Sequence, residues 1–131
     1  MLSVGHLRAI ALARRDDAIA LSNAGRNDGA AYLCGYAVEV ALKARICQTL
    51  SWPGFPSTKA EFSQYQSFRT HDLDVLLRLS GVEATIKSQF LAQWSVVVSW
   101  DPEARYRPIG SATPQDVVDM ISSVTALLAV I

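Results

Sequence analysis

The 131-residue chain contains two cysteines and two histidines, and its charge has no excess of either sign: twelve Lys and Arg balance twelve Asp and Glu. Each scarcity excludes something. Cys34 and Cys47 fall thirteen residues apart on one expected helix, about 20 Å along its axis, whereas a disulfide needs Cα atoms within about 7 Å, so they cannot pair within the chain. With no Cys/His cluster, no structural zinc site is expected, and no other metal or cofactor. Charge balance removes the broad basic footprint of a duplex-binding protein, although a local basic patch remains open. No apolar run reaches the roughly 18 uncharged residues of a membrane span. The start, "MLSVGHLRAIALARRDD", is interrupted by His6, Arg8, Arg14 and Arg15 before a signal-peptide core can form, so a cytoplasmic protein without membrane contact is expected. Also missing are a Gly-rich phosphate loop, a nucleophile elbow, a triad spacing, carboxylates at metal-binding spacing and any strand-like alternation between hairpin turns.

What is present is helical, and half of all residues are hydrophobic, enough for the core of one domain over 1–131. "LRAIALARRDDAIALSN" is Ala-rich and free of Gly and Pro, which suits a first helix; "GRNDG" breaks it, with Asn27 or Asp28 as the next cap. The second helix runs to about Leu50 and stops at the prolines of "SWPGFP". Thr58 and Glu61 have capping-box spacing within a long connection. "THDLDVLLRLSG" is a short helix with Thr70 or Asp72 as cap and Gly81 as stop. Val82, Ile86, Phe90, Trp94, Val97 and Val98 draw one stripe along an expected helix from Glu83 to Ser99. Asp101 and Pro102 start a short turn, and Thr113, Pro114 and Asp116 open a last helix carrying Val117, Met120, Ile121, Val124, Leu127, Leu128 and Ile131. The expected fold is all-α: an antiparallel up-and-down four-helix bundle with additional short helices.

The second helix holds the least ordinary feature. In "YLCGYAVEVALKARI", Glu39 and Lys43 sit among apolar residues; at about 100° per residue they share a face with Tyr32 and Tyr36, while Cys34, Ala37, Ala41 and Ala44 lie opposite. On an exposed helix such an ion pair stabilises by only about 0.2–0.5 kcal/mol. On a surrounded helix it requires further polar partners. Two other segments can supply them. Arg69, His71 and Asp72 stand at a helix entrance, where free N–H groups favour anions and His titrates near neutrality; they serve equally as a cap with a hydrogen-bonded His. Trp94 and Trp100 precede Asp101, Glu103, Arg105, Tyr106 and Arg107, a set able to hold phosphates and stack on bases, or else core tryptophans beside a loop pinned by ion pairs of Glu103 and Arg105.

Three segments together, "AAYLCGYAVEVALKARI", "THDLDVLLRLSG" and "WSVVVSWDPEARY", resemble the HEPN family of small helical bundles. The resemblance is strongest in Gly35-Tyr36, Glu39 and Lys43, in Thr70-His71-Asp72-Leu73, and in Trp100, Pro102, Glu103, Arg105 and Tyr106. It implies self-association as a homodimer, a nucleotidyltransferase-type partner in a toxin–antitoxin or defence setting, and a pocket for a nucleotide, RNA or partner protein lined by Glu39, Lys43, His71, Asp72, Glu103, Arg105 and Tyr106. Family members of better known activity are metal-independent RNases that use an Arg-x(4–6)-His motif. The chain departs from it, because Arg69 lies two residues before His71 and no Arg has the required spacing. The expected function is therefore a non-catalytic binding module; the alternatives are an RNase with a non-standard His71 and Arg69 site, and a purely structural interaction protein.

Overall fold

In the computed structural model, which describes Met1–Ile131, the chain is mostly helical, with six α-helices and one two-residue β pair. Helix α1, Val4–Asn23, starts where the Ser3 hydroxyl accepts from the His6 N–H at 3.2 Å. It buries Leu7, Ala11 and Ala18, and these mostly small residues let it lie close to α2, Asn27–Leu50. Helix α2 has 24 residues and is about 36 Å long. It is the centre of the molecule: α1, α3 (Leu73–Ser80) and α6 (Pro114–Leu128) all pack on it. The small face read from the sequence, Cys34, Ala37, Ala41 and Ala44, is fully buried there. Burial also pushes the Cys34 thiol up to about 12 and raises that of Cys47. Both cysteines are free, and raised pKa values make them poor nucleophiles.

Two of the sequence signals act as expected. Thr113 and Asp116 form a reciprocal capping box at the start of α6, and Asp72 caps α3, its carboxylate accepting from the Asp74 and Val75 N–H groups. Glu61 and Thr58 also cap each other, but they start only a 3₁₀ turn, Glu61–Gln64. The apolar stripes of the second half are buried at Val82, Ile86, Trp94, Val97, Val117, Met120, Val124 and Leu127.

Elsewhere the structure differs. The helix expected over Glu83–Ser99 breaks at Phe90, whose backbone leaves the helical region (φ −129, ψ 28), giving α4, Glu83–Gln89, and α5, Leu91–Val97. No Pro or Gly marks the break, so packing sets it. The hydrogen bonds Phe90 N–H to Ile86 and Trp94 N–H to Phe90 carry the stripe across it. Three helices are long, α1, α2 and α6, and the expected fourth is this broken pair. A strand pair, absent from the expectation, joins Leu2 to Phe55 and Ser3 to Gly54; two residues are too few to alternate visibly. Any side chain at Gly54 would place its Cβ 2.7 Å from the Leu2 carbonyl oxygen. No helix is long and apolar enough to cross a membrane.

The cap of α2 is a further correction. Arg26 occupies the cap position without a side-chain bond. Asp28 instead reaches across to the loop before α6, accepting from the Gly110 N–H at 2.7 Å and the Ala112 N–H at 2.9 Å. These two donors lower its pKa from the ordinary 3.8. A carboxylate with a depressed folded-state pKa stabilises the fold above its ordinary value, and that contribution disappears as pH falls through the lowered one. Asp28→Ala should therefore speed hydrogen exchange at Gly110 and Ala112 near neutral pH. Wild type should lose more stability than the variant on acidification, and parallel acid titrations of the two would contradict the contact.

Candidate functional site

Three segments remote in sequence close around one open cleft of about 630 Å³. The polar face of α2 contributes Tyr32, Tyr36 and Glu39; the entrance of α3 contributes His71 and Asp72; the turn after α5, including the 3₁₀ segment Pro102–Tyr106, contributes Trp100, Asp101, Glu103 and Arg105. Of the residues named from sequence, Glu39, His71, Asp72, Glu103 and Arg105 thus converge. Lys43 lies one turn farther along α2, behind Glu39, with its ammonium 5.4 Å from the Phe55 ring centroid. Tyr106 does not line this cleft. It is 71% exposed, and the Arg105 guanidinium stands 4.9 Å from its ring centre. Arg69 is not brought in either: its guanidinium lies 5.9 Å from the Phe62 ring centre.

Glu39 is the anchor. It is 1% exposed, and its Oε1 accepts from Lys43 Nζ at 3.2 Å and from His71 Nδ1. Both bonds reach the same oxygen, so the carboxylate ties α2 to the chain just before α3. His71 keeps 64% of its side chain exposed, and with Nδ1 donating to Glu39 its Nε2 is the free ring nitrogen. Burying a carboxylate is costly unless it is paired and hydrogen-bonded, and here each partner comes from a polar group that the sequence had already marked.

The opposite wall depends on Gly35. A Cβ built there would lie 2.1 Å from Trp100 Cγ, far inside contact distance, so only glycine lets the indole rest on the α2 backbone. Trp100 is 7% exposed and packs against Tyr32 with ring centres 5.9 Å apart. Its Nε1 is buried with no acceptor, and the neighbouring Asp101 Oδ1 is buried with no donor. Buried polar atoms left unpaired cost about 1–3 kcal/mol each, and consecutive residues of this cleft wall hold one such donor and one such acceptor, the other Asp101 oxygen accepting from Arg107 at 3.4 Å. The sequence sets Trp100 and Asp101 beside the arginines but does not show the contact that seats the indole; the available signal for that was Gly35, a glycine inside a well-formed helix.

A second cleft of about 560 Å³ lies on the other side of the same ridge and shares Tyr32, Ser99, Trp100 and Arg105 with the first. Asp28, Asp116, Asp119 and Arg107 supply its remaining charges. Arg105 stays cationic, its pKa raised by the phenol of Tyr106 and then that of Tyr32. No three His, Cys, Asp or Glu side chains gather closely enough to hold a metal ion.

Comparison with protein-family models, with curated proteins and with solved structures finds no match to this chain.

Glu39→Gln keeps the shape and an acceptor but removes the charge from both bonds. Charge-assisted hydrogen bonds are worth about 1.5–3 kcal/mol, and the Lys43 side chain, 19% exposed, can swing its ammonium toward water. The expected loss of unfolding free energy in urea is about 1–2 kcal/mol. An unchanged urea midpoint would mean that Glu39 does not tie α2 to His71.

Proposed function

We propose that the chain is a non-catalytic HEPN-like helical module, its long helices and the α4–α5 pair forming an antiparallel bundle, and that it binds a partner protein over the ridge at Trp100. The observation that carries this reading is the charge of the two clefts. With Glu39 paired to Lys43 and Asp101 Oδ2 paired to Arg107 at 3.4 Å, Asp72 and Glu103 face the Arg105 guanidinium in the first cleft, and Asp28, Asp116 and Asp119 face the same Arg105 in the second. Like charges 4 Å apart repel by about 1 kcal/mol in water and about 4 kcal/mol near a protein surface. A phosphate or an RNA strand, whose affinity comes from neutralisation by Lys and Arg, therefore meets net repulsion, and of the three ligand classes expected of the family a protein fits best. Exposed apolar side chains on the same face agree: Ile109, which lines the second cleft, is 100% exposed, and Val96 is 36% exposed. A nucleotidyltransferase-type protein and a second copy of the chain are the partners this resemblance brings forward.

One observation favours a second reading, an RNase. A buried carboxylate orienting an exposed imidazole is an arrangement suited to general acid–base catalysis, and Arg105 shares the cleft with His71. Arg69, on Phe62, is then not the phosphate-binding group.

Affinity purification of the tagged chain from its native cells, run beside a Glu103→Arg/Ile109→Asp bait, tests the first reading. A protein recovered with wild type and lost from the variant is expected. Identical recoveries, or none, would contradict it. The purified chain should also leave RNA intact in chelator, and cleavage that disappears in His71→Ala would establish the second reading instead.

A further inference from the structure

Resting on the partner-binding reading, we propose that the ridge takes an extended basic segment of the partner, with a peptide group on Trp100 and Asp101 and Lys or Arg side chains in the flanking clefts. Two independent observations carry this. The first is the unpaired donor and acceptor: Trp100, more than nine-tenths buried, lines both clefts with an indole N–H that nothing accepts, and in the next residue Asp101 Oδ1 is buried without a donor while Oδ2 accepts from Arg107 at 3.4 Å. A peptide group is the complement of that pair, its carbonyl accepting from the indole and its N–H donating to the carboxylate. The edge of a nucleobase offers similar groups, but a nucleotide brings its phosphate into a field of carboxylates.

The second observation is the chemistry of the walls. In the first cleft the carboxylates stand beside Tyr32 and Tyr36, and aromatic faces with nearby carboxylates suit a long cationic side chain, whose methylenes cover the rings while its head meets the acids. In the second cleft Asp116 and Asp119 lie with Val96, Ile109 and Met120, again carboxylates beside apolar side chains. Side chains of an extended segment alternate in direction and rise about 3.3 Å per residue, so one peptide spans the shared ridge and addresses both clefts. Electrostatic complementarity of this kind acts mainly on recognition and association rate, and is weakened by salt.

The test uses the full chain labelled with nitrogen-15 and pools of nine-residue peptides, degenerate at apolar positions and carrying either Lys and Arg or Asp and Glu at the rest. The chain has three tryptophans, and Trp100→Phe assigns the Trp100 indole resonance. The basic pool should move that resonance and leave those of Trp52 and Trp94 in place, and the acidic pool should move none. Binding should weaken about tenfold in high salt, and about tenfold in Asp101→Asn or in Glu103→Gln, which alters only an exposed residue of the 3₁₀ turn. A Trp100 resonance that ignores the basic pool overturns the proposal. A mononucleotide or RNA that moves it when the basic pool does not overturns the proposal while leaving the cleft a binding site. A partner recovered by purification that meets the ridge through an acidic segment overturns the proposal and leaves the partner reading standing.

Discussion

The contact on which the rest of the site depends is the seat of the Trp100 indole on the backbone of α2 at Gly35. A glycine in a helix interior costs roughly 1 kcal/mol relative to alanine, and α2 bears that cost in its middle, where it is most surrounded. In return a large aromatic ring packs directly on the helix, beside Tyr32. The segment from Trp100 to Arg105 thereby becomes a fixed wall, and a cleft opens on each side of it. Without this close approach, the turn after α5 would stand off by the width of a side chain and neither cleft would keep its shape.

The second constraint is electrostatic. Glu39 is buried in the central helix and would be destabilising alone. Lys43 comes from the same helix and adds a partner at little entropic cost, whereas His71 comes from the chain before α3 and so converts a local ion pair into a tertiary contact. Most of the other carboxylates of the clefts have structural duties: Asp72 caps α3, Asp116 caps α6, Asp28 holds the loop before α6 and Asp101 pairs with Arg107. Their hydrogen bonds leave their charge in place, which is why structural caps and the proposed binding surface coincide here. The acidic character of the ridge is a by-product of how the helices are started and joined.

Local rules were legible in the sequence, and tertiary ones were not. The caps at Asp72 and Thr113, the stop at Gly81 and the buried stripes follow from interactions within a few residues. The polar face of α2 was legible too, because helical periodicity alone places Glu39 beside Tyr32 and Tyr36. The break at Phe90 carries no Gly or Pro and arises from packing. Asp28 looked like a helix cap and turned out to bond a loop more than 80 residues away. Arg69 was assigned by nearness in sequence to His71 and Tyr106 by the resemblance of its turn, yet neighbouring residues in extended or 3₁₀ backbone point in different directions, and both fall outside the first cleft. Gly35 and Trp100 lie 65 positions apart, and nothing local couples them.

The measurement that bears most directly on this architecture is a double-mutant cycle between Gly35 and Trp100. Gly35→Ala alone should destabilise the chain by about 1–3 kcal/mol in urea, the usual cost of forcing atoms into a packed interior. In a Trp100→Leu background, where the indole is gone, the same substitution should cost little or even stabilise through its better helix propensity. The coupling energy should thus exceed about 1 kcal/mol. Equal effects of Gly35→Ala in both backgrounds would contradict the seating of Trp100 on α2, and with it the wall that shapes both clefts.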